Sequence, residues 1–505
     1  MKRSSIAFKN ISSNLVLQFV VIISGFIIPK LLISSFGSDT YGLVASITQF
    51  LSLIVLLEAG MGPVVKAKLY KYIAKDDKGK IQLILKDADK FFKTIGYIFI
   101  AYIIVLCFVF PYMNNEFDSA LSISLIIIIA ISTLFEYFFG IVYNLYLQAD
   151  KKYYVTSWVQ VFCYIFNILL VVILIHFGAS IIVVKIANTL AFIIKPIFQS
   201  WYVRKKLDMH FKNVNGEYKI DNKFDGLSQH IAYVINNNTD VMVLTVFSNL
   251  ATVAVYSIYN LVAQAINRIV SAFTNGMDSI FGDMFARDER DVLSRSFSMY
   301  EFVYYTVSMI FYLTTLVLIV PFIRIYMNGV NDANYIQPLF GTLIVVVGFI
   351  ATTRTVYSSL VYSIGHFKQT NFVVWIEAIT NIVLSIIFVY KFGLIGVMMG
   401  SFVASMIRLV YFMFYSSKII LNRSIFVDLK WLFIMFLEII IVVLLMNFNI
   451  ISYIPANYFE WLVYAIIILL LVIIFVIILN VLFNHKLAKE VFYFLKGKFS
   501  KQKAH

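Results

Sequence analysis

The sequence predicts an all-α integral membrane protein of about fourteen transmembrane helices, built as two six-helix lobes in a parallel repeat around a central cavity, with two further helices at the C-terminal end. Three observations predict it. Of 505 residues, 61% are hydrophobic and 13% charged, with a mean hydropathy of +0.87, whereas soluble domains carry roughly one-quarter charged residues. The apolar residues gather in runs of about 20, the length that spans a bilayer core. The first twelve runs fall into two halves that echo one another.

Reading each run against the polar break that ends it places spans at 11–35, 42–63, 94–112, 120–147, 154–177, 181–203 and 229–249. The remainder fall at 253–281, 300–323, 339–362, 372–390, 395–419, 431–450 and 458–483. The first run follows Lys2, Arg3 and Lys9 but continues past Pro29 with no small-residue cleavage pattern, so it is read as a retained span. Phe36-Gly37-Ser38-Asp39 turns it into the second. Lysines mixed with Leu69, Ile73, Ile81, Leu85 and Phe92 separate the second from the third, a pattern that fits a helix on the anionic leaflet and a solvated linker equally. Phe177-Gly178 parts the fifth and sixth, and Phe392-Gly393 the eleventh and twelfth. These breaks give lobes at 1–211 and 229–430, a cytoplasmic linker at 212–228, and a last pair with a basic tail at 431–505.

A net charge of +14 could signal nucleic acid, but most of the 41 Lys and Arg sit in short clusters between spans. Cytoplasmic loops carry the positive excess. The clusters at 66–93, 151–152, 204–223, 287–295, 418–430 and 486–503 therefore place both termini in the cytoplasm. External loops are short, the longest running from Arg324 to Pro338, which disfavours a membrane polymerase or transferase. Cys107 and Cys163 read as small buried hydrophobes. No Gly-rich phosphate loop, metal-ligand cluster or serine triad is present, so neither an enzyme nor a cofactor is expected.

The repeat is read from spacing. Asp150 to Phe177-Gly178 recurs as Gly365 to Phe392-Gly393 at an offset of 215 residues. Parallel repeats of this kind place a cavity between two lobes that can rock.

Polar residues inside the spans are costly unless they face a cavity or a partner. On the seventh span Gln229, Tyr233, Asn236 or Asn237, and Asp240 form one stripe. Asn10, Asn14 and Gln18 mark the first span, and an offset of 211 carries Gln18 onto Gln229. Gln264, Asn267 and Arg268 lie on the eighth span and Arg354 on the tenth. On the sixth, Lys185, Asn188, Lys195 and Gln199 share a face, with Lys185 read as snorkelling outward. The carboxylates Glu136, Asp240 and Glu377 lie on the fourth, seventh and eleventh. Permanent pairing of the arginines with Asp240, Asp278 or Glu377 is the blander alternative. His230 reads as interfacial.

Several of these features together make the chain resemble the multidrug, oligosaccharidyl-lipid and polysaccharide exporter superfamily, and within it the O-antigen, capsule and exopolysaccharide repeat-unit flippases. They are Asn10, Asn14 and Gln18 with Pro29, Phe36-Gly37 and Tyr41-Gly42, Glu58-Ala59-Gly60, Asn236-Asn237-Asn238-Thr239-Asp240, Val255-Tyr256-Ser257 and the two Phe-Gly hairpins. The resemblance implies a bacterial cytoplasmic-membrane carrier that moves undecaprenyl-diphosphate-linked oligosaccharide outward by alternating access, with coupling to H+ or Na+ left open. It implies a cavity lined by spans 1, 2, 4, 7, 8 and 10. There Arg268 and Arg354 would grip the diphosphate, their planar forks suiting phosphate oxygens. Asn14, Gln18, Gln229, Tyr233, Asn236, Asn237, Gln264 and Asn267 would complete the substrate site. Lys195 is counted with them from the polar face of the sixth span, which the resemblance places away from the cavity and leaves open to a structural or headgroup role. Asp240, Glu377 and Glu136 would couple an ion. Membrane lipids and a polysaccharide polymerase are the partners to expect. A cation-coupled drug antiporter of the same superfamily and a peptidoglycan or teichoic precursor flippase stay open as alternatives.

Overall fold

The computed structural model describes residues 3–58, 60–113, 116–211, 216, 227–271, 273, 277–451 and 453–502. Among them there is no strand. The polar stretch 212–228, read as the linker, lies almost wholly outside the described residues. By its contacts the chain forms two compact units, Met1–Ala254 and Val255–His505.

The first unit begins with α1 (Arg3–Phe36) and α2 (Ser38–Ser52), which tightens into a 3-10 turn at Leu53–Glu58. There follow α3 (Met61–Ile73), α4 (Lys78–Met113), α5 (Ser119–Phe135), a π turn at Glu136–Gly140 and α6 (Ile141–Ala149). The set continues with α7 (Tyr153–His176), α8 (Ile181–Trp201), α9 (Leu227–Phe247) and the start of α10 (Leu250–Ser271). The basic segment before the third span is resolved by α3. Met61, Val65 and Leu69 are buried in the unit's core with Ile81, Leu85 and Phe92, and Lys66 Nζ donates to Gln148 Oε1 at 3.1 Å. Its apolar face therefore packs on protein, and α4 starts at Lys78, well before the span read from hydropathy.

The second unit holds α11 (Met277–Ala286), α12 (Arg290–Tyr326), α13 (Pro338–Ser363), α14 (Phe367–Tyr415), α15 (Phe426–Asn447), α16 (Tyr458–Phe483) and α17 (His485–Gln502). Nominally one helix, α14 is broken at Gly393, whose φ of 54° and ψ of −129° no helix contains. Its arms, 367–392 and 394–415, fold back on each other. Ser401 Oγ donates to Asn381 Oδ1 at 3.3 Å, and a Cβ on Gly396 or Gly400 would stand 2.2 Å from Phe388 O or 2.6 Å from Ser385 Oγ. Gly396 and Gly400 form the small-xxx-small spacing that lets membrane helices approach where no hydrophobic effect drives them together.

The turn geometry recurs at the repeat offset. Gly178 and Gly393, 215 residues apart, both have positive φ, and so do Lys151 and Gly365, one residue short of that offset. Twelve helices among the described residues are long and apolar enough to cross a membrane. The sequence reading of fourteen differs in two places. It divides α14 at its break, and it counts α9, which the run Asn236-Asn237-Asn238-Thr239-Asp240 makes far more polar.

Candidate functional site

α2 answers the polar groups of α9 that lie beside the stripe rather than in it. Asn238 Oδ1 accepts from Ser52 Oγ at 2.6 Å and from Gln49 Nε2, Gln49 Nε2 also reaches Asn237 O at 3.3 Å, and Ser46 and Thr245 hydroxyls share a bond of 2.7 Å. His230 Nε2 meets Val55 O at 2.9 Å, so it is a partner of the 3-10 turn. The opposite edge is open: Tyr233 is 60% exposed and Asn237 is exposed, while Asp240 is buried. The Gln229 side chain lies outside the described residues. On α1, Asn10 proves to be a fastener. Its amide donates to Lys151 O at 2.9 Å and its oxygen accepts from Tyr154 N at 2.9 Å, pinning α1 to the start of α7. Asn14 and Gln18, one turn apart further along α1, are half-buried.

A second cluster joins four segments of the first unit. Tyr137 OH donates to Glu58 Oε1 at 2.7 Å, and Lys195 Nζ donates to Glu136 Oε1 at 3.2 Å. Glu58 is within electrostatic reach of His230 and Glu136. Both chain segments depart from α geometry where they meet, a 3-10 turn ending at Glu58 and a π turn starting at Glu136. Such departures accompany functional sites. Gly140 makes the approach of α8 possible, since a Cβ there would lie 2.7 Å from Pro196 Cβ and 2.8 Å from Glu136 Oε2. On the same helix, Lys185 is buried at 8% exposure and does not snorkel outward as the sequence suggested.

The third cluster is in the second unit. Glu377, 1% exposed, is held between Arg354 from α13 and Arg408 from the far arm of α14. Arg354 Nη1 donates to Oε1, Arg408 Nη1 donates to Oε2 at 2.6 Å, and Arg408 Nη2 donates to Tyr362 OH at 3.0 Å. Two guanidinium groups against one carboxylate leave the triad net positive. Arg408 side chain is 8% exposed and Arg354 14%. On α10, Gln264, Asn267 and Arg268 line one exposed face, with Asn267 Oδ1 accepting from Ser271 Oγ at 2.9 Å.

A fourth cluster fastens α15. Arg423 grips Glu301 bidentately, Nη1 to Oε2 and Nη2 to Oε1 both at 2.9 Å, and reaches Asp428 Oδ1 at 2.7 Å. Burial works against its charge, but the Glu301 carboxylate holds the guanidinium above its ordinary value. Sequence reading passed over Arg408, Glu301 and Arg423. Arg408 carried an available signal, a lone charge inside Ser401-Phe402-Val403-Ala404-Ser405-Met406-Ile407 and its continuation; Arg423 stands in a loop, where nothing in the sequence pairs it with Glu301.

Several solved membrane transporters share this fold. Among solved structures sharing the fold, the lipid II flippase MurJ in an inward closed conformation is 18% identical, with a TM-score of 0.68 over 95% of this chain and 100% of that one. A multidrug resistance MATE family transporter of the MOP superfamily, facing inward, is 16% identical, with a TM-score of 0.63 over 79% and 95%. A MOP superfamily transporter from Pyrococcus furiosus is 15% identical, with a TM-score of 0.55 over 82% and 96%. No curated protein matches by sequence. The family described as polysaccharide biosynthesis protein matches residues 7–276. That is more than half of the chain, which belongs to this family.

Proposed function

We propose that the protein is a flippase carrying undecaprenyl-diphosphate-linked oligosaccharide repeat units from the cytoplasmic to the external leaflet of a bacterial cytoplasmic membrane, for surface polysaccharide synthesis. The observation that carries this reading is the surplus guanidinium beside Glu377. A fixed cation within a span is costly unless an anion or water meets it, and a guanidinium fork suits phosphate oxygens. Arg354, the less buried of the pair, is assigned to the diphosphate, with Arg268 on the exposed face of α10. Asn14, Gln18, Gln229, Tyr233, Asn236, Asn237, Gln264 and Asn267 are assigned to sugar hydroxyls. Membership of a polysaccharide biosynthesis family supports the substrate class.

In this reading fourteen crossings form lobes of spans 1–6 and 7–12 that rock in alternating access, with both termini cytoplasmic and a polysaccharide polymerase receiving the product. Asp240 and Glu136 are the carboxylates assigned to ion coupling. Glu377 has both oxygens engaged by arginines, so we assign it to holding them. Lys195, bonded to Glu136, belongs to the same coupling cluster.

Deleting the gene tests the reading. Undecaprenyl-linked intermediates are expected to accumulate on the cytoplasmic face while surface glycan falls. A cation-coupled drug antiporter is the second reading, favoured by the acidic pair Glu58 and Glu136. Normal glycan with raised drug sensitivity in the deletion strain would replace the first reading by the second.

A further inference from the structure

One side of α15 is packed: Asp428, Trp431, Ile434, Met435, Glu438 and Val442 are its buried residues. Their three-to-four-residue spacing is an ordinary helical stripe, and Glu438 occupies a place in it where leucine or methionine would be expected. It is 0% exposed. Asp428, at the foot of the stripe, is answered by Arg423. Glu438 has no such partner: among the described residues neither carboxylate oxygen has a hydrogen-bond partner.

The neighbours of α15 explain the lack of a counter-charge. α12 and α16 pack against it. α12 runs parallel to α15, because Arg423 ties Glu301 to Asp428 and Tyr305 stacks on Trp431 with centroids 4.7 Å apart. Seven residues beyond Trp431, or about 10 Å of rise, Glu438 is level with Tyr312, whose hydroxyl is bonded to Thr352 Oγ1 at 2.5 Å. The charged residues of α12 lie below this level, at Arg290, Asp291, Arg295 and Glu301, or near its far end at Arg324. α16 runs antiparallel to α12, with Asn480 bonded to Thr306 at 3.3 Å and Trp461 against Phe322. Its acid, Glu460, and its tyrosines, Tyr458 and Tyr464, are therefore at the opposite end, and its middle is wholly apolar.

An ionised carboxylate cannot stay in such a place. A buried charge without a partner neutralises instead, and near the middle of a span the penalty is at its largest. We propose that Glu438 is a proton-binding site on which the packing of α15 depends. With its proton bound, the neutral acid is accommodated in the apolar stripe. When the O–H bond breaks and the proton passes to water, the carboxylate left behind must be hydrated, and the middle of α15 comes away from the second unit. A leucine at this position would pack unconditionally, whereas an acid makes the contact depend on pH.

The experiment uses the full chain in lipid nanodiscs, titrated from mildly acidic to alkaline pH. Infrared difference spectra should contain a protonated-carboxyl carbonyl band that persists at neutral pH and is lost in Glu438→Gln. Amide hydrogen exchange in the middle of α15 should rise by at least about tenfold toward alkaline pH relative to Glu438→Leu, which keeps the helix docked throughout. The leucine variant supplies the comparison should the glutamine variant fail to fold. The proposal is overturned if Glu438→Gln removes no acid band, or if exchange in wild type and Glu438→Leu rises in parallel.

Discussion

Glu377 Oε2 accepts from Arg408 Nη1 at 2.6 Å, so a carboxylate on one arm of a broken helix grips a guanidinium on the other. The two residues are 31 positions apart, on strands of helix that the Gly393 break turns antiparallel. Removing one member of such a buried pair leaves the other uncompensated, at a cost of about 3–5 kcal/mol. Glu377→Leu should therefore lower the unfolding temperature in detergent markedly, and Glu377→Leu with Arg408→Leu should recover part of the loss. Equal stability of wild type and the single variant would remove the clamp.

Arg354 is the less buried arginine of the same triad. Arg354→Ala should lower surface glycan at least about tenfold at matched protein level, as expected when a charge-assisted contact of 1.5–3 kcal/mol is lost. Arg354→Lys, which keeps the charge but not the fork, should fall between. Undiminished glycan in both variants, with Arg268→Ala also silent, would separate these arginines from the substrate.

Gly140 admits α8 to the π turn. A methyl group there would meet Pro196 Cβ and the Glu136 carboxylate, so Gly140→Ala should destabilise by about 1–3 kcal/mol. Gly25→Ala, with nothing within 4 Å of the new atom, should be near neutral. A thermal shift series that ranks the two alike would contradict the packing.

The ladder between α2 and α9 is built from side-chain hydrogen bonds in a bilayer, which average about 0.6 kcal/mol each. A double-mutant cycle on Ser46 and Thr245 should return a coupling near that value. Asn238→Ala should cost more, because Gln49 and Ser52 both lose their acceptor.

His366 stands in the loop between α13 and α14, where Tyr415 OH meets its Nδ1 at 3.0 Å. Burial, and then the charge of Arg290, push its imidazole below the ordinary histidine value. The folded state thus favours neutral histidine. As pH falls through the unfolded value of about 6.5, the unfolded chain takes up a proton that the folded chain declines, and stability drops until the folded value is passed. Denaturation of the purified protein across mildly acidic pH should show this loss, and His366→Gln should flatten it.

Hydropathy and spacing were enough for the helical membrane class and for the Phe-Gly turns, because run length and positive-φ glycines are local properties. They could not distinguish a polar face that lines a path from one that binds a neighbour. Asn10 and Asn238 look alike in sequence to Asn14 and Asn237, yet the first two are engaged by α7 and α2. Arg354 and Glu377 are both legible as in-span charges, whereas Arg408, the second arginine on Glu377, lies in a span whose pattern gives no sign of that pairing. α3 was misplaced for a related reason: its lysines dominate the pattern, and its burial depends on contacts with α4 and α6.

The α2 to α9 ladder bears on how the chain is made. α9 leaves the ribosome with five consecutive polar residues, Asn236 to Asp240, and an aspartate in mid-segment alone opposes insertion by about 2.5–3.5 kcal/mol. The groups that answer Asn238 were synthesised 186 and 189 residues earlier, in a helix already in the lipid. α2 is thus a template that waits for α9 during biogenesis. Erasing Gln49 and Ser52 should appear first as nascent chains whose α9 stalls at the translocon, before any defect in the mature protein.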